Sequence, residues 1–151
     1  MKEFTNITEI LDFAIGEEQA AVDFYLQLAA QSKNKQTKKT FQEYAEEEMR
    51  HKANLLSIKE IGSFKMPDAT VKDLKIAEYL VDVKPTANMS YQDALILAMK
   101  KEKAAFRMYT KLAQKAEDPE VKALFFNLAQ EESKHKLAFE VEYDDYILKD
   151  N

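Results

Sequence analysis

A chain of 151 residues with a formal net charge of −5 has room for one domain and little else. With Cys 0, Gly 2 and Pro 3, it excludes disulfides, a thiol nucleophile, cysteine zinc or iron–sulfur sites of its own, and any turn-rich β or doubly wound architecture. Its charged residues, 32 % of the chain and mixed in sign, argue against nucleic acid, and no apolar run or N-terminal leader points to a membrane or to export, so a cytoplasmic protein is expected.

The first long helix, α1, is expected over residues 7–32, opened by Asn6 with Glu9 three residues on in the manner of a capping box. A second, α2, follows over 35–61 behind the cap Asn34. Residues 62–89 hold Pro67 and Pro85 and break the helical period, with a short helix α3 expected inside 71–81, begun near Thr70. Ser90 and Asp93 open α4 over 91–116, and Asp118 followed by Pro119 opens α5 over 119–148. These elements predict an all-α, up-down four-helix bundle in which the 62–89 stretch crosses between the helix pairs 6–61 and 90–148, the whole of 1–151 forming one domain.

The second pair repeats the first. Shifted by 84 residues, the stretch from Asn6 to Ile61 aligns without a gap on the stretch from Ser90 to Asp145, with about a quarter of positions identical, among them both histidines of the chain. On α1 the inward seam reads Leu11, Ala14, Glu18, Ala21, Tyr25, Leu28, and on α4 it reads Leu95, Ala98, Glu102, Ala105, Tyr109, Leu112. A lone glutamate inside such a seam costs several kcal/mol unless something offsets its charge.

The offset lies on the partner helices. On α2 the stripe Phe41, Tyr44/Ala45, Glu48, His51, Leu55 puts a Glu-x-x-His inward, and α5 repeats it with Phe125, Leu128, Glu132, His135, Phe139. Glu47 is also one turn from His51, but it shares its stripe with Thr40 and Asn54, a solvated face, so Glu48 is chosen; the 84-residue offset carries the choice to Glu132 over Glu131. Four carboxylates and two imidazoles can neutralise two divalent cations, and oxygen-rich donors with one nitrogen each suit iron or manganese. This donor pattern is a known worked case of di-iron carboxylate bundles. Met49, beside Glu48, reads as packing in preference to a haem ligand, and the remaining Lys/Glu richness reads as a solvated face.

The motifs Glu18 with Tyr25, Glu48-Met49-Arg50-His51, Glu102 with Tyr109 and Glu132-Ser133-Lys134-His135, with the linker stretch Asp73 to Leu80, resemble the rubrerythrin-type ferritin-like di-iron proteins. The resemblance implies that Glu48 and Glu132 bridge two irons, that Glu18 and Glu102 are terminal carboxylates, and that His51 and His135 supply one nitrogen each. It also implies that Tyr25 and Tyr109 orient ligand carboxylates, with plain core tyrosines as the alternative. The function it implies is reduction of dioxygen or peroxide with electrons from a separate donor protein, in a homodimer; the alternatives are ferroxidase or iron handling, and a helical protein with a structural metal and no catalysis. Two features depart from the family. The chain has no cysteines for a rubredoxin domain, so it is expected to stand alone, and Ala105 occupies the place of an extra glutamate, so peroxide turnover is expected to be slow or absent.

Overall fold

The structure, a computed structural model, describes residues 4–62, 64–81, 85–86 and 88–150. Parts of the expected 62–89 crossover, at 63, 82–84 and 87, fall outside the described residues, as do 1–3 and 151. The described residues hold helices and no strand: α1 Ile7–Gln31, α2 Lys35–Ile61, α3 Asp68–Leu74, a 3-10 turn Ile76–Tyr79, α4 Tyr91–Lys115 and α5 Pro119–Asp150. None of these helices is long and apolar enough to cross a membrane. The chain divides into two compact units, Met1–Ala77 and Glu78–Asn151.

In the first unit the Asn6 side chain accepts from the Glu9 N–H at 2.9 Å and so satisfies one of the donors that a helix start leaves open. Phe4 is buried and meets Phe13 edge-on at 5.2 Å, pinning the chain ahead of α1. Three residues separate α1 from α2, which begins under Asn34, whose Oδ1 accepts from Gln36 N–H at 2.8 Å and Thr37 N–H at 3.1 Å. So short a link forces the two helices antiparallel. The cross-helix contacts run accordingly: Asp12 meets Lys59 at 2.5 Å, Gln19 accepts from Lys52 at 2.8 Å, and Tyr25 meets Tyr44 with ring centroids 6.5 Å apart. The α2 helix stops at Gly62, which takes φ 68° and gives its N–H to Ile58 O at 3.0 Å. That left-handed conformation favours a residue without Cβ.

The second unit repeats the device. Ser90 accepts from Asp93 N–H at 3.1 Å, and Asp118 Oδ1 accepts from Glu120 N–H at 2.8 Å and Val121 N–H at 3.3 Å. Every one of these caps stands 84 residues from its counterpart, and α4 starts and ends at that offset from α1. Helices α4 and α5 pack antiparallel, with Tyr91 against Tyr146 at 5.1 Å and donating to Glu142 at 3.0 Å, and Tyr109 stacked on Phe125 at 6.1 Å. At its far end α5 continues to Asp150, beyond the 148 expected.

The short helix differs from its expected 71–81 span. It starts at Asp68, directly after Pro67, and breaks at Lys75, which takes φ 50°. The reason is burial: Leu74 and Ile76 are both buried, yet two positions apart on one helix they would point to opposite faces. The break turns Ile76 and Ala77 inward as well.

Candidate metal centre

On α1 the buried residues Leu11, Ala14, Glu18, Tyr25 and Leu28 form the expected seam, while Ala21 is only half-buried. On α2 the seam is Phe41, Ala45, Glu48, His51, Leu55 and Ile58, all buried. Glu18 keeps 3 % of its surface exposed, Glu48 1 % and His51 2 %. Acidic side chains almost never reach such burial unless something compensates the charge. Glu47 is half-buried on the neighbouring stripe, whose next position, Asn54, is exposed.

The antiparallel register brings these groups to one level. His51 Nδ1 lies 3.5 Å from Glu18 Oε2 and 3.3 Å from Glu48 Oε1, and one donor atom from each of the three lies within 4.8 Å of the others. A nitrogen and two carboxylate oxygens that converge in this way repel one another unless positive charge, a proton or a cation, sits among them. Ligands about 2.1 Å from a common divalent ion are about 3.0 Å apart when adjacent and about 4.2 Å apart when opposite. The observed spacing therefore fits an ion after shifts of a few tenths of an ångström.

The second unit places its residues at the same positions. Leu95, Ala98, Glu102, Tyr109 and Leu112 are buried on α4, and Phe125, Leu128, Glu132, His135 and Phe139 on α5, with Ala105 half-buried like Ala21. Glu102 and Glu132 each keep 2 % exposed and His135 1 %. His135 Nδ1 lies 3.8 Å from Glu102 Oε2. Glu132 stands three residues before His135 on the same buried face, as Glu48 stands to His51. Each unit therefore carries two buried carboxylates and one buried imidazole. In all, this donor set balances two divalent ions by charge, and its lack of thiolate fits hard or borderline metals.

Tyr25 and Tyr109 are both buried, two turns beyond Glu18 and Glu102 on their seams. Tyr44 on α2, one turn before Glu48, is half-buried, and its ring edge meets Tyr25. Burial pushes the Tyr44 hydroxyl above its usual pKa of 10.0, with the carboxylates of Glu47 and Glu43 adding to the effect. Position alone, four residues ahead of a buried glutamate, was the sequence signal for this residue. Met49 departs from the expected packing role, since it is 57 % exposed.

The rubrerythrin family model matches residues 9–143, a stretch that holds every residue of both Glu/Glu/His sets. No curated protein and no solved structure matches the chain.

Proposed function

The chain belongs to the rubrerythrin family, and from that premise we propose that its two Glu/Glu/His sets act together on a pair of iron ions that reduce dioxygen or peroxide with electrons from a separate donor. The carrying observation is the repeated approach of a buried carboxylate on one helix to a buried histidine on its partner: Glu18 to His51 at 3.5 Å, and Glu102 to His135 at 3.8 Å. A structural ion pair would explain one such contact. Two at a fixed offset, each with a further buried glutamate one turn before the histidine, supply a matched set of donors for two metals.

In this reading Glu18, Glu48, Glu102 and Glu132 would hold the ions through carboxylate oxygens, and His51 and His135 would each supply one nitrogen. Iron held in this way supplies reversible one-electron chemistry. The protein's own contribution is to hold the carboxylates in a dry seam, where electrostatic effects are stronger than in water, and to orient them. Tyr25 and Tyr109, buried on the same seams as Glu18 and Glu102, would direct ligand carboxylates through their hydroxyls. Peroxide that accepts two electrons and two protons leaves as two water molecules. With Cys 0, these 151 residues carry no cysteine-bound iron–sulfur relay, and in this reading a separate donor supplies the electrons.

The test is to load the protein with ferrous iron without oxygen, add one equivalent of peroxide, and follow iron oxidation by Mössbauer and near-ultraviolet spectroscopy. Rapid conversion of bound iron to the ferric state, reversed by a reductant, is expected. Iron that stays ferrous would leave a structural metal site, and iron that oxidises and then leaves as mineral would indicate iron handling instead.

A further inference from the structure

The two helices that carry Glu18 and Glu102 are equivalent in seam and caps but opposite in charge. Helix α1 holds five acidic residues and no lysine or arginine, whereas α4 holds six basic residues and two acidic ones. On α4 the contrast is concentrated on the face away from the seam, where Lys100, Lys103, Arg107 and Lys111 recur at steps of three and four residues and are all exposed. Their counterparts at the 84-residue offset are Gly16, Gln19, Asp23 and Gln27. A surface that serves only solubility intersperses both signs. A single-sign stripe on a chain of net charge −5 is a local field that acts on whatever approaches it.

Aromatic surface accompanies the charge. Phe106 on α4 is 38 % exposed and Phe126 on α5 is 39 % exposed, where the first unit has a buried Val22 and a polar Gln42. Phe106 stands three residues after Lys103 on α4, and an exposed aromatic beside a charged stripe is the composition of a protein interface, with an apolar centre and a polar rim. We propose that this α4 face is the docking surface for an acidic electron-carrier protein, the donor that the proposed function requires. The inference rests on that reading for its purpose, and on the charge contrast for its place. A carrier seated there lies about one helix width, 10–12 Å, from the inward Glu102 on the same helix. Two reduced carriers, each oxidised by one electron, together provide the pair that turns peroxide and two protons into water.

The probe is a rubredoxin of strongly negative net charge. Titrated in its oxidised form into the metal-free, isotope-labelled chain at about 20 mM salt, it should perturb amide shifts along the outward face of Lys100–Lys111 and near Phe126, and the effect should fade at about 0.5 M salt as the Debye length shrinks. The K103E/K111E variant should weaken binding about tenfold or more, the milder K103Q/K111Q variant by less, and K39E/K72E, on the other unit, not at all. With iron-loaded protein, the second-order rate of reduction by the reduced rubredoxin should fall in the same order, while reduction by dithionite should not change. Absence of binding, shifts mapped to another face, or indifference to K103E/K111E would overturn the docking surface. So would the same α4 shifts on concentrating the chain alone, which would assign the face to a second copy. Binding without two irons per chain would instead overturn the function and leave the surface in place.

Discussion

At the scale of single residues, the decisive quantity is the cost of a buried carboxylate. Glu18, Glu48, Glu102 and Glu132 keep 1–3 % of their surface exposed, and an isolated ion in such a place costs several kcal/mol. Histidines at 3.3–3.8 Å supply a natural partner for a shared cation. If the two sets are equivalents, His51→Ala and His135→Ala should each lower bound iron by a similar amount, about one ion per chain; metal analysis after gel filtration reads this directly. A second residue-scale effect belongs to Tyr44. Its folded pKa lies above the unfolded value of about 10, so the native chain keeps a proton that the unfolded chain releases. That contribution is intact below about pH 10 and is lost as pH rises through the folded pKa. The melting temperature of Tyr44→Phe should therefore fall less than that of the parent between about pH 9 and pH 11. An equal fall would mean that Tyr44 ionises as freely in the folded chain as in the unfolded one.

At the scale of elements, most of the architecture was legible because each signal was local. The caps Asn6, Asn34, Ser90 and Asp118 stand where their side-chain oxygens meet the first helical N–H groups, and the seam residues follow from helical period alone. The break at Lys75 was not legible, because it is set by the need to bury both Leu74 and Ile76, a tertiary demand that local propensity does not contain. The charge contrast between α1 and α4 is present in the sequence, but charge in itself does not tell an interface rim from a solvated face. The two glycines test the local account in opposite directions. Gly16 lies inside α1 with nothing within 4 Å of an added Cβ, so Gly16→Ala should stabilise by about 0.5–1 kcal/mol. Gly62 has equal space but φ 68°, so Gly62→Ala should cost about 1 kcal/mol. Denaturant midpoints of the two variants should move to opposite sides of the parent.

At the scale of the whole molecule, the family, the repeat and the donor set all concern one question, how many metals the chain holds. That Glu18, Glu48, His51, Glu102, Glu132 and His135 are buried could be read from the sequence because the 84-residue offset pairs each of them with a counterpart, whereas a single Glu-x-x-His would have been ambiguous. What the offset does not carry is reactivity. Ala105 stands where the resemblance implies a further glutamate, and it is half-buried beside the seam. Turnover of peroxide with an artificial donor should accordingly be slow, and Ala105→Glu should raise it if that position matters to the cycle. An unchanged rate in Ala105→Glu would remove Ala105 from the account.

The most direct measurement is the metal content of protein reconstituted with ferrous iron under anaerobic conditions and freed of excess metal. About two irons per chain are expected, lost together when Glu48 and Glu132 are both replaced by alanine. A firm value of one or none, with the protein still folded, would contradict the paired site.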